Sequence, residues 1–127
     1  MDILTNDVQR LVDFYHGTLG LGFFLPYVAE EKWAAIEMGN VTLYIFHTTN
    51  TTPVEPRTAV NLEDKPGLDS FAFEVENLDE AIAYLSGKVE WVTAEPIEWQ
   101  HPNGTHYRPM FDPDGNMLYV TEPHKTV

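Results

Sequence analysis

The chain carries an internal repeat. An offset of roughly 70 residues lays Asn6-Asp7-Val8 near Glu76-Asn77-Leu78, and Leu11-Val12 and Phe14 on Ala81-Ile82 and Tyr84. An offset of roughly 75 lays Leu43-Tyr44-Ile45 on Leu118-Tyr119-Val120, with a Gly-Asn turn before each copy. Half of this chain cannot bury a sheet face alone, so the two copies must share one fold. The plan of each copy is strand, helix, then three strands.

Local signals give that plan its boundaries. Asp7 stands as an N-cap before Val8, Leu11, Val12, Phe14 and Tyr15, an apolar stripe that predicts a helix ending near Gly17. A strand is expected over 23–28. Two more, Trp33 to Met38 and Val41 to His47, should be joined as a hairpin at Gly39-Asn40. In the second copy Ser70 to Val75 reads as a strand, Asn77 or Asp79 caps a helix through Leu85, and 89–93 and the stretch up to Trp99 are extended. His106 to Phe111 and Met117 to Glu122 close the plan across the turn at Asp112 to Asn116. The expected organisation is one domain, 1–127, with a first module 1–47, a polar Pro-rich connector 48–67 and a second module 68–127.

Composition removes several function classes. Seven Lys plus Arg against 20 Asp plus Glu, a formal net charge of -13, disfavour nucleic acid and anionic membranes as partners. With no cysteine, disulfides, thiolate nucleophiles and Cys-based zinc sites are excluded. The first residues lack a basic and then apolar leader, and no apolar run has the length of a membrane span, so the expected compartment is the cytoplasm.

Three pieces in order, Asp7…Phe14-Tyr15…Leu19-Gly20, then Phe71-Ala72-Phe73-Glu74-Val75, then Asp112-Pro113-Asp114-Gly115-Asn116, resemble the vicinal oxygen chelate superfamily of glyoxalases, bleomycin-resistance proteins and extradiol dioxygenases. The resemblance implies an α+β fold of two tandem βαβββ modules, whose curled mixed sheets surround a ligand cavity. It also implies where metal ligands would stand: a His or Gln on the first strand, Glu on the fourth, His on the fifth and Glu on the eighth. Carried over, these positions fall at Met1 or before it, on Tyr44, on Ser70 and on Tyr119. That set offers no imidazole and no carboxylate, so the expectation is a branch with no metal and no cofactor.

Strand alternation sorts the remaining candidates. Leu43, Ile45, Phe71, Phe73, Val75, Leu118 and Val120 should pack under the helices. Thr42, Tyr44, Phe46, Ser70, Ala72, Glu74, Met117, Tyr119 and Thr121 should face the ligand. Trp33 shares parity with Glu37 and is placed with them, Trp99 is read as a rim residue and Trp91 as core. Of the histidines His47, His101 and His106, the last is placed in the site. Glu37 and Glu74 are candidates for binding a cation or for acid–base work. No catalytic residue is assigned, because no nucleophile stands beside a base.

The resulting expectation is a metal-independent binding protein that confers antibiotic resistance by sequestering an aromatic or cationic drug, and that works as a homodimer. The competing expectation is a lyase or isomerase of the same superfamily that uses non-standard residues.

Overall fold

In the computed structural model, which describes residues 1–55, 57, 61–98 and 105–123, the chain divides into two units, Met1–Pro53 and Val54–Val127. The first begins with β1 (Asp2–Thr5), followed by α1 (Val8–Val12), whose N-cap Asp7 accepts a hydrogen bond from the Arg10 amide at 3.1 Å. The helix does not finish as an α-helix near Gly17. It widens into a π-helical segment, Asp13–Thr18, closed by the Leu19 amide donating to the Phe14 carbonyl at 2.9 Å. A π turn holds an extra residue, and here it accompanies burial of the adjacent rings of Phe14 and Tyr15, packed edge-on at 5.0 Å.

The strand expected over 23–28 is reduced to a single bridge, Phe23 to Ile36, flanked by bonds from Phe24 N to Ala35 O and from Glu37 N to Gly22 O. Pro26 has no N–H to extend the ladder. β2 (Trp33–Met38) and β3 (Val41–His47) form the hairpin, with Gly39 at φ +67° in its two-residue turn. The sheet order is β1-β3-β2, with β1 parallel and β2 antiparallel to β3. Ile36, Leu43 and Ile45 are fully buried on the side of Leu11 and Val12.

The second unit repeats this arrangement. β4 (Phe71–Glu74) lies parallel to β8 (Met117–Pro123), and β7 (Thr105–Phe111) lies antiparallel on its other side. The five-stranded sheet runs β4-β8-β7-β5, with β6 also on β7. The extended stretches expected before Trp99 shrink to β5 (Glu90–Trp91) and β6 (Ile97–Glu98). Between them the chain leaves the ladder, and the Arg108 guanidinium fills the gap. It donates to the Thr93 and Ala94 carbonyls at 3.1 and 2.8 Å and lies 4.4 Å over the Trp91 ring.

α2 (Leu78–Leu85) is capped by the Asn77 side chain, which accepts from the Glu80 amide at 2.9 Å. Glu122 on β8 accepts from the Leu78 amide at 3.0 Å, which fixes the side of the sheet that carries α2. At the β7–β8 turn Asp112, 3% exposed, takes the Asp114 and Asn116 amides on one carboxylate oxygen and the Asn116 side-chain amide on the other, each at 2.9 Å. Gly115 supplies the positive φ of +90° that the turn requires. Two mixed sheets with few helices make the fold α+β, as expected. No helix of the described residues is long and apolar enough to cross a membrane.

Candidate functional site

Residues directly opposite in a ladder share a face, so register assigns each side chain. In the first unit Trp33 stands opposite Phe46, Ala35 opposite Tyr44, and Glu37 opposite Thr42, all on the face away from the buried Leu43 and Ile45. Leu4 joins them beside Phe46. Tyr44 and Phe46 lie nearly parallel, with 12° between their planes and 6.0 Å between centroids. Ala35, itself 1% exposed, has too little bulk to interrupt that surface. Phe46 and Leu4 stay open to solvent at 38% and 66%. At the far end Glu37 is exposed, and a Cβ at Gly22 would stand 3.9 Å from its carboxylate.

The second unit has an equivalent face. Tyr119 stands opposite Pro109 and beside Ala72, Tyr107 and Glu74 are both paired with Thr121, and Met117 stands opposite Phe111. The Tyr107 and Tyr119 rings meet at 5.0 Å, tilted by 51°. Just before β4, Asp69 pairs with Arg57 at 3.6 Å through one oxygen and accepts the Ser70 hydroxyl at 2.9 Å through the other. Burial first, then Tyr119 and Asp69, push the Tyr107 hydroxyl above the ordinary tyrosine range.

Tyr44 and Tyr119 thus occupy the same station in their ladders, each on the last strand between a parallel and an antiparallel neighbour. By the same rule Tyr107 is the counterpart of Trp33. Tyr107 is the residue that sequence reasoning missed. The repeat offset of 75 lays Trp33 on Arg108 instead, and only the ladder pairing shows the shift of one residue that brings Tyr107 to this place. Arg57 and Asp69, brought in from the connector and its end, carried no sequence signal.

His106 is placed otherwise than expected. It alternates with Tyr107 and lies on the opposite face, opposite Glu122 and 3.7 Å from the Glu98 carboxylate. Trp91 also lies on that face, under Arg108. Glu74 is exposed, as Glu37 is. Trp99 and His101 lie outside the described residues. Among the described residues no three His, Cys, Asp or Glu side chains gather to hold a metal ion. The hydroxyls of Tyr44, Ser70 and Tyr119 are poor ligands for a divalent ion at neutral pH, so the described donor set does not fit one. Among the described residues, Glu55, Arg57, Asp64 and Lys65, all charged, line a hollow of about 190 Å³ at the connector.

Comparison with known proteins agrees with this architecture. The family model described as the Glyoxalase/Bleomycin resistance protein/Dioxygenase superfamily matches residues 1–120. Among solved structures, a glyoxalase/dioxygenase from Nostoc punctiforme superposes with a TM-score of 0.74 at 20% identity, over 98% of this chain and 89% of that one. A glyoxalase family protein from Enterococcus faecalis gives 0.70 at 25% identity, over 96% and 94%. A lactoylglutathione lyase from Agrobacterium tumefaciens gives 0.64 at 21% identity, over 96% and 90%. No curated protein matches the chain significantly.

Proposed function

Given that the chain belongs to the Glyoxalase/Bleomycin resistance protein/Dioxygenase superfamily, we propose that it is a metal-independent binding protein that sequesters an aromatic or cationic drug, in the manner of a bleomycin-resistance protein. The observation that carries this reading is the pair of aromatic sheet faces: Trp33, Tyr44 and Phe46 in one unit, Tyr107 and Tyr119 in the other. Rings anchored on a rigid sheet can stack on a planar ligand with little loss of side-chain freedom, each good contact contributing roughly 0.5–1.5 kcal/mol beyond burial. The net charge of -13 hastens encounter with a cationic compound. The protein works as a homodimer in this reading.

Tryptophan fluorescence of the purified protein, titrated with bleomycin-class, polycyclic aromatic and flavin-like compounds, tests it. Saturable quenching with the compound recovered unchanged is expected, and Tyr119→Ala should weaken that binding about tenfold or more. A chemically altered compound would replace sequestration with catalysis. Binding that is indifferent to Tyr119→Ala would remove this face from the site.

A further inference from the structure

We propose that Tyr107 is the hydrogen-bond donor of the second unit's aromatic face, and that it selects planar ligands bearing a neutral acceptor oxygen at the ring edge, as in a quinone or an aryl carbonyl. The inference rests on the aromatic-ligand reading above and adds the class of ligand.

The polar groups on this face lead to it: the half-buried Tyr119 and the exposed Glu74 stand closer to solvent than Tyr107 does. The Ser70 hydroxyl is spent on Asp69, at 2.9 Å. The Thr121 hydroxyl, opposite Tyr107 in the ladder, is spent on the His106 carbonyl at 3.1 Å. Tyr107 is 7% exposed, and none of the described residues is hydrogen-bonded to its hydroxyl. The ring is buried but the hydroxyl is not closed off, so water serves the O–H until an acceptor on a bound molecule takes its place. Its oxygen is not among the fully enclosed polar atoms without a partner, so it remains within reach of a bound molecule. The neighbouring Tyr119 ring, 5.0 Å away, supplies the surface on which such a molecule would lie.

Charge then narrows the class. Burial, Tyr119 and Asp69 all favour the protonated phenol, so at neutral pH Tyr107 donates. The Asp69 carboxylate that helps to hold it neutral disfavours a carboxylate or phenolate ligand on this face. Both Asp69 oxygens are engaged, by Arg57 and by Ser70; the exposed Glu74 carboxylate beside Thr121 could meet a cation, but a cation gives the Tyr107 O–H no acceptor. A neutral acceptor satisfies the donor without meeting either objection.

Equilibrium dialysis of 1,4-naphthoquinone and of naphthalene against the full chain tests the proposal, and the absence of cysteine spares the quinone from thiol addition. Wild type should hold the quinone about tenfold more tightly than the hydrocarbon, and Tyr107→Phe should bring the two within about twofold. A preference that persists in a folded Tyr107→Phe overturns the donor assignment and leaves the aromatic site standing. Failure of wild type to bind either compound overturns the aromatic site and the donor together. In wild type labelled with 13C at tyrosine Cζ, the quinone should shift the Tyr107 resonance and naphthalene should not. An unmoved resonance overturns the assignment whether or not the variant folds.

Discussion

Replacing Asp112 by Ala tests how much of the second unit depends on one carboxylate. Asp112 is 3% exposed and accepts three hydrogen bonds within its turn, from two backbone amides and one side-chain amide. Bonds to an ionised acceptor contribute roughly 1.5–3 kcal/mol each, so their simple sum would exceed about 4 kcal/mol. Asp114 and Asn116 are only half-buried, so water recovers part of that loss. The bonds from Asp112 N to Asn116 O and from Gly115 N to Asp112 O survive the change. A net loss of about 3 kcal/mol is expected, equivalent to a fall in Tm of roughly 12 °C for a domain of this size. Asp112→Asn keeps one acceptor and should lose about half as much. Urea denaturation followed by far-UV circular dichroism gives the free energy directly, provided that the m-value is unchanged. A loss below about 1 kcal/mol for Asp112→Ala would refute the reasoning, because it would mean that water serves these donors as well as the carboxylate does. The same turn holds β7 against β8, so the alanine variant should also bind ligand less tightly than its remaining folded fraction would account for.

Two further outcomes follow from local geometry. Asn77→Ala removes the cap from α2 and should cost about 1 kcal/mol in the same urea experiment, with Asn77→Asp close to wild type. Tyr107 ionises at higher pH in the fold than in the unfolded chain, so its neutral form favours the fold. That contribution is complete below the unfolded value near pH 10 and is lost as pH rises through the raised folded value. Tyr107→Phe should therefore flatten the decline of stability above pH 10, while Tyr27, raised by burial, Asp13, Asp7 and Glu30, leaves part of the decline in place.

Much of this was legible where alternation is clean. Leu43-Tyr44-Ile45 and Leu118-Tyr119-Val120 alternate without ambiguity, so the two tyrosines were placed on one kind of face and the aliphatics on the other. Asp7 and Asn77 declared their helices because a short polar side chain before an apolar stripe has few other uses. β7 gave no such pattern. In Thr105 to Phe111 a histidine, a tyrosine, an arginine and a proline follow one another, and only the pairing with β8 shows that Tyr107 rather than His106 shares a face with Tyr119. The π-helical turn at Asp13–Thr18 has no composition of its own, since it is selected by the packing of Phe14 and Tyr15. The strand expected over 23–28 satisfied propensity but was cut short by Pro26. The Arg57–Asp69 pair joins residues far apart in a polar segment, where nothing local marks a partner.

The central place of β3 and β8 governs how the chain can assemble as it is made. Asp2 has no ladder partner until Tyr44 emerges, and Phe71 has none until Leu118 does. Each sheet is therefore completed late: the local hairpin first, then capture of the waiting first strand across the helix. Until then that strand travels as an unpaired edge carrying Leu4 in one copy and Phe71 and Phe73 in the other, the condition in which nascent chains aggregate. A ribosome pausing before Val41 or before Met117 would prolong that exposure, so the timing of synthesis at those two codons bears on yield as much as any contact in the finished fold.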